Sequence, residues 1–348
     1  MNRRASLAER LHAALLRIWY GDGRGGWLLP LAHVFRLASA LRRGLYRAGL
    51  LHRWRASVAV VVVGNISVGG TGKTPLVLWL AAALRDRGCR VGIVSRGFGG
   101  SRRDAHRVEA DADAAQSGDE AVLMARRGVA PVVAGRCRRT AIALFGDSVD
   151  VVICDDGLQH LALARDVEIA VVDGARGLGN GRLLPAGPLR EGSWRLDEVD
   201  AVVVNGAGFD RTGALRMRLE AGEAVALADG ARRPLAAFRG TPLRAVAGIG
   251  HPQRFFALLR AAGLEPRERA LPDHADWQRA GLDADGVTLL MTEKDAVKSR
   301  GRPAANAWYV PVEAIVEGAD AAKLLECVER GLRRFRGSFP GTVQRGDA

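Results

Sequence analysis

The residues best suited to chemistry fall into two clusters. Gly69-Gly-Thr-Gly-Lys73-Thr74 follows an apolar run and opens a helical one, the strand–loop–helix setting of a phosphate-binding loop. Glycines let backbone N–H groups turn inward around phosphate oxygens, and the positive end of the helix adds to their pull. The loop residues Ser67, Val68, Gly69, Gly70, Thr71, Gly72, Lys73 and Thr74 are therefore expected to hold a nucleoside triphosphate, with Lys73 at the β- and γ-phosphates and the Thr74 hydroxyl on Mg²⁺. One departure stands out: Ser67 occupies the place where the strict pattern has glycine. Lys73 is also one of only four lysines beside 47 arginines, which argues against compositional drift. The second cluster, Asp155-Asp156-Gly-Leu-Gln159-His160, ends another apolar run. Carboxylates at the carboxyl end of a neighbouring parallel strand are placed to hold Mg²⁺ or a nucleophilic water. Asp173, which ends the next run, is a weaker candidate of the same kind.

Elements of a particular kind are needed to position such groups. Apolar, β-branched runs recur at 58–63, 91–94, 131–134, 149–154, 167–172 and 199–204, with helical patterns between them at 74–85 and 136–145. Runs apolar on both faces read as buried parallel strands, so the expected fold class is α/β, a P-loop NTPase-type parallel sheet with helices on both faces. Further on, 244–248, 288–291 and 308–312 read as strands and 253–262 and 321–334 as helices, a smaller second α/β domain. The expected organisation is an N-terminal segment 1–57, a P-loop domain 58–212, a two-stranded hinge 213–242, the smaller domain 243–335 and a flexible tail 336–348.

The chain has 348 residues and a net charge of +13, but that charge is unevenly spread. Residues 1–57 carry eleven arginines against Glu9 and Asp22, which leaves the rest nearly balanced. Ser6-Leu-Ala-Glu9 reads as a capping box, and Leu7, Leu11, Leu15 and Ile18 follow at helical spacing. A second stripe, Val34, Ala38, Leu41, Leu45 and Ala48, has Arg36, Arg43 and Arg47 off it and Trp27, Phe35 and Tyr46 nearby. A basic amphipathic segment of this kind reads as a peripheral element on an anionic membrane, against the plainer alternative of a helix packed on the body. No run approaches the ~20 apolar residues of a spanning helix, and no secretory signal is visible. The four cysteines are scattered without a metal-binding spacing and read as buried free thiols in a reducing, cytosolic setting. Nucleic acid is disfavoured as a partner because the basic excess lies on one apolar-striped segment without a recognition motif, and no obligate protein partner is expected.

A GTPase reading fails on base recognition, because Thr292-Glu-Lys294-Asp295 has its lysine one place too late. The long motifs resemble instead the tetraacyldisaccharide 4′-kinase family of lipid A biosynthesis. They are 63–75 around the P-loop, Ser95-Arg96-Gly-Phe98-Gly-Gly100, Asp155–His160, Gly179-Asn-Gly-Arg-Leu-Leu-Pro-Ala-Gly-Pro-Leu-Arg190-Glu191, Gly248-Ile-Gly-His-Pro-Gln-Arg-Phe-Phe256, Pro272-Asp-His274 and Met291–Lys298. Phe98, where the family has Tyr, and the segment after His274 depart from its pattern. The resemblance implies transfer of the ATP γ-phosphate to the 4′-hydroxyl of an acylated glucosamine disaccharide 1-phosphate. It also implies two domains closing about a hinge, at the cytoplasmic face of the bacterial inner membrane. It makes Asp119 and His274 an Asp–His catalytic pair, although Ser117-Gly-Asp-Glu120 by itself reads as a capping box. Lys73 and Asp156 join them as catalytic candidates, and Thr74, Asp155, Asp156, Gln159 and Glu191 are candidates for the metal shell. Arg96, His160 and Arg190 are expected to face the substrate's 1-phosphate or the ATP γ-phosphate, and Asn65 to meet substrate. The competing class is a membrane-associated P-loop ATPase acting as a switch or metallochaperone, for which the sequence offers no Cys or His metal site.

Overall fold

Stiff β-branched side chains in Val60–Val63 pack on both sides of a strand buried along its whole length, and the rest of the fold is arranged around it. The computed structural model describes residues 7–21, 23, 25–271, 287–299 and 306–338. Helices α1 (Leu7–Tyr20) and α2 (Leu29–Arg47) precede this strand, β1 (Ala59–Gly64). There follow α3 (Lys73–Arg85), β2 (Val91–Ser95), β3 (His106–Val108), α4 (Ala114–Ser117), α5 (Asp119–Arg127), β4 (Val132–Ala134), α6 (Arg138–Ala143), β5 (Val151–Asp155), β6 (Val167–Asp173), β7 (Ala201–Asn205) and β8 (Leu215–Ala221). The chain then forms β9 (Ala224–Ala226), β10 (Arg232–Arg233), β11 (Leu243–Ala247), α7 (Pro252–Ala261), β12 (Arg267–Ala270), β13 (Thr288–Thr292), α8 (Glu293–Lys298) and β14 (Ala307–Val310). It returns through β15 (Val312–Ile315) and α9 (Gly318–Ser338).

Among the described residues the larger sheet runs β15-β8-β7-β6-β1-β5-β2-β4-β3. Its strands from β8 to β4 are mutually parallel, and β15 and β3 close the two edges antiparallel. One face packs on α3, α5 and α9 through Leu76, Leu80, Val122, Leu324 and Val328, and the other on Ile142, Leu158, Leu163 and Leu196. Each such side chain contributes roughly 1.5–3 kcal/mol on burial, and both faces are covered, as a parallel sheet requires. The smaller sheet, β10-β9-β14-β13-β11-β12, is mixed and holds a separate aromatic core of Phe238, Phe255, Phe256 and Trp308.

Two connections join the sheets: β8 passes into β9 at Gly222, and β14 into β15 at Pro311, with the Gly222 N–H donating to the Pro311 carbonyl. The expected placement of 243–335 in the smaller domain therefore changes. The run read as one strand at 308–312 breaks at Pro311, which has no N–H to give a ladder. Beyond it β15 and α9 belong to the larger sheet. Residues 339–348, most of the expected tail, lie outside the described residues. The Ser117–Glu120 capping box does not form: Gly118 stands at the N-cap of α5, and the Ser117 hydroxyl bonds His106 Nε2 at 2.9 Å. No helix among the described residues is long and apolar enough to cross a membrane; all four cysteines are free, but only Cys154 is buried as expected, Cys89 and Cys327 being half-buried and Cys137 exposed.

Candidate active site

The loop between β1 and α3 is shaped by two left-handed glycines, Gly69 at φ 108° and Gly72 at φ 94°. Gly72 admits no side chain for a second reason, because a Cβ there would stand 2.3 Å from Asn205 Nδ2. That amide, at the end of β7, donates to the Thr71 carbonyl at 3.0 Å and clamps the loop from the neighbouring strand. Asn65 is fully buried and braces the loop from within: its Nδ2 donates to the Gly69 carbonyl at 3.3 Å, and its Oδ1 accepts from Lys73 Nζ at 3.2 Å. Asn65, expected to meet substrate, is not among the residues that line the cleft; its side chain is spent on the loop and its lysine. Ser67 pairs with Leu189 and the Val68 N–H is given to the Pro188 carbonyl, so the part of the loop that lines the cleft starts at Gly69. Within it the Thr71 hydroxyl is buried without a hydrogen-bond partner.

Register brings the carboxylates to this loop: Val63 of β1 pairs with Asp155 of β5. Asp155 is buried and its Oδ1 has no hydrogen-bond partner. Burial first, then the nearby Glu120 charge, pushes its carboxyl well above the usual range, against the pull of Lys73. Asp156 adopts φ 51° and carries its carboxylate back over the loop, 3.5 Å from Lys73 Nζ and 3.1 Å from Arg190 Nη1. Burial would raise its pKa, but Lys73 and Arg190 outweigh that and hold it below the ordinary value. Gln159 Oε1 accepts from the same Arg190 nitrogen at 3.3 Å, while its Nε2 donates to Glu191 Oε2 at 2.9 Å and to the Asn65 carbonyl at 3.1 Å. Glu191, expected in the metal shell, has its other oxygen 2.8 Å from Arg43 Nη1, so both oxygens are engaged by protein donors.

The 179–191 motif works as a bracket. The Asn180 amide donates to the Ile18 and Ala186 carbonyls, and Trp19 Nε1 to the Pro185 carbonyl at 2.9 Å, which docks α1 onto it. Its far end returns to the P-loop, where the Arg190 N–H donates to the Ile66 carbonyl at 2.7 Å.

Across the cleft the smaller unit closes over the loop. Asp173 is buried at the end of β6 and accepts from Arg254 Nη2 of α7 at 2.8 Å, with His251 Nδ1 3.5 Å away. A Cβ at Gly250 would stand 3.4 Å from the Gly70 nitrogen. On the other flank Arg127 of α5 forks onto Glu293 of α8 at 2.8 and 2.7 Å, and Lys294 reaches Glu120 at 3.3 Å. The cleft between the units has a volume of about 770 Å³, and its walls include the P-loop, Arg96, Phe98, Glu120, Arg190, His251 and, from α2, Phe35, Ser39, Arg42 and Arg43.

Asp119 opens α5, buried, 3.6 Å from Lys298 Nζ, one residue before the cleft-lining Glu120. His274 lies outside the described residues, as does Ser6 of the first capping box. His160 is absent from the cleft wall: it is half-buried, and burial and the charges of Arg138, Arg165, Arg42 and Arg96 hold its imidazole down to about 4, hence neutral. Sequence reasoning overlooked Asn205, Arg254 and Arg43, since each acts through a partner remote in the chain. The one local signal there is Gly250, whose missing side chain lets its backbone approach Gly70.

Comparisons with known proteins place the chain as a whole in a family. The profile described as LpxK, tetraacyldisaccharide-1-P 4′-kinase, matches residues 25–330. A tetraacyldisaccharide 4′-kinase of Pseudomonas paraeruginosa is 47% identical over 323 residues, covering 91% of this chain and 96% of that protein. A crystal structure of LpxK from Aquifex aeolicus in complex with ATP is 30% identical, with a TM-score of 0.75 over 88% of this chain and 99% of that one. With the P-loop, the paired aspartates and the 179–191 bracket all in place, this chain belongs to the tetraacyldisaccharide 4′-kinase family.

Proposed function

We propose that the cleft transfers the γ-phosphate of ATP to the 4′-hydroxyl of tetraacyldisaccharide 1-phosphate, with the residues above in particular roles. The observation that carries this reading is the convergence of Lys73, Asp155, Asp156 and Arg190 on one P-loop in a chain of this family. The backbone N–H groups from Gly69 to Thr74 and the Lys73 ammonium bind the triphosphate. The donor set suits a hard divalent cation: the unpartnered Asp155 Oδ1, the Asp156 carboxylate and the Thr74 hydroxyl supply oxygen ligands. Mg²⁺, when bound, neutralises charge on the phosphate oxygens. Arg190, held by Asp156 and Gln159, steadies the transferring group, and Arg96, which follows β2 and lines the same cleft, takes an anionic substrate group. As the 4′-oxygen bonds to the γ-phosphorus and the bond to ADP breaks, Asp119, with His274 as its partner, takes the hydroxyl proton. Closure of the smaller unit through Asp173–Arg254 excludes water from the transfer.

The chain is further proposed to work as a peripheral protein at the cytoplasmic face of the inner membrane. Leu31, Val34, Leu37 and Leu41 lie on one arc of α2 and are exposed, Leu37 at 70%, and the same helix borders the cleft into which the lipid headgroup must pass.

The test is labelled ATP with tetraacyldisaccharide 1-phosphate in detergent micelles. Wild type should label the lipid, and Lys73→Ala should abolish labelling, a fall of about 10³-fold or more. Asp119→Ala should lower kcat by roughly 10²–10⁴-fold with the ATP KM near wild type. ATP hydrolysis without lipid product would reject the kinase reading, and unchanged turnover in Asp119→Ala would remove Asp119 from the mechanism.

A further inference from the structure

Arg43 is where the surface helix meets the phosphate site. Its side chain is 14% exposed, its guanidinium lies over the Trp194 ring at 4.5 Å, and it pairs with both Glu191 and Glu198. From it a chain of side-chain contacts leads to the P-loop: Arg43 to Glu191 (2.8 Å), Glu191 to Gln159 (2.9 Å), Gln159 to Arg190 (3.3 Å), Arg190 to Asp156 (3.1 Å) and Asp156 to Lys73 (3.5 Å). The direction of these bonds matters. Gln159 has one amide, and because its NH₂ end is spent on Glu191 Oε2 and the Asn65 carbonyl, only its carbonyl end can face Arg190. Turned the other way, the amide would set an N–H donor against a guanidinium that has only donors.

We infer that Arg43 is a positioning residue for phosphoryl transfer. It holds the Glu191 carboxylate where that group selects the Gln159 amide orientation, and the amide in turn fixes Arg190 beside Asp156. Without Arg43, the nearest remaining cation to Glu191 Oε1 is Arg195 Nε at 3.8 Å, among the described residues. The carboxylate is then free to swing, and Arg190 loses its register on the transferring group. A displacement near 1 Å in such a group is enough to cost about 10²-fold in rate. The inference rests on the reading of Arg190 as a phosphate-site residue, so Arg190→Ala is included as a separate arm.

In the micellar assay, Arg43→Ala should lower kcat on the order of 10- to 100-fold while the ATP KM changes by less than about threefold. Arg43→Lys, which keeps the charge, should recover part of the loss. Glu191→Gln should lower kcat similarly, and the Arg43→Ala/Glu191→Gln double variant should be no slower than the worse single one, because both break one chain of contacts. Glu198→Gln removes the other partner of Arg43 and should leave kcat within about twofold. The inference is overturned if Arg43→Ala keeps wild-type kcat, if its loss lies wholly in the lipid KM, or if Glu198→Gln is equally slow. Should Arg43→Ala fail to fold, Arg43→Lys and Glu191→Gln carry the test, and losses that multiply in their double variant overturn it. An unaffected Arg190→Ala would instead reject the role of Arg190 on which the inference stands.

Discussion

Asp156 is the described non-glycine residue with a left-handed backbone, and strain of this kind costs about 1–3 kcal/mol unless surrounding contacts hold it. Here Lys73 and Arg190 hold it, so the turn after β5 trades local stability for a carboxylate aimed at the phosphate loop. His160, four residues on, is legible in sequence only as a histidine near two aspartates; its neutrality depends first on burial and then on four arginines that the fold gathers. That neutrality has a measurable consequence. Folding lowers the His160 pKa from 6.5 to about 4, so over that interval the unfolded chain binds a proton that the native protein does not. The stabilising contribution is therefore present above pH ~6.5 and lost as pH falls toward ~4. His160→Gln should flatten this segment of the stability profile, as read from denaturant melts across the interval. A wild-type and variant difference that does not change with pH would contradict the placement of His160.

The elements show how far local pattern reaches. β1, β5, β6 and β7 were legible as apolar runs because burial on both faces leaves a compositional mark, and the P-loop was legible because its glycines are required by backbone geometry. β3 and β12 were missed: one is three residues long, the other has every residue exposed, and neither carries an apolar signature. The break between β14 and β15 was missed because Pro311 by itself does not say that the next strand pairs with β8. At this scale Gly72→Ala is the informative change. It forces a Cβ into a left-handed residue and against Asn205 Nδ2, and should destabilise the protein by about 1–3 kcal/mol and weaken ATP binding. Thermal melts and ATP titration measure both, and wild-type values for both would show that the loop does not depend on this backbone.

Over the whole molecule, the basic excess and the apolar surface meet on the N-terminal helices. Deleting residues 1–55 would be a poor membrane test, because Trp19 and Arg43 are tied to the 179–191 bracket and would be lost as well. Leu37→Asp with Leu41→Asp alters only the outer face of α2. This pair should abolish cosedimentation with anionic phospholipid vesicles and raise the lipid KM on vesicles, while the ATP KM and activity in micelles stay near wild type. Undiminished vesicle binding at high salt would refute the docking role of α2.

The phosphate loop, the strands that carry it, the aspartates at their ends and the family are all legible in the chain, because each is written in contiguous residues whose spacing the backbone enforces. What those groups touch follows from the folded arrangement. Arg43 reaches Glu191 across 148 positions and Arg254 reaches Asp173 across 81, and no local pattern encodes a partner at that distance. The same is true of Asn65 and Glu191, whose types suggested ligands and whose side chains in this structure are met by Lys73, Gln159 and Arg43. A polar side chain in a sequence states what it can bond; burial and register decide what remains for it to bond to.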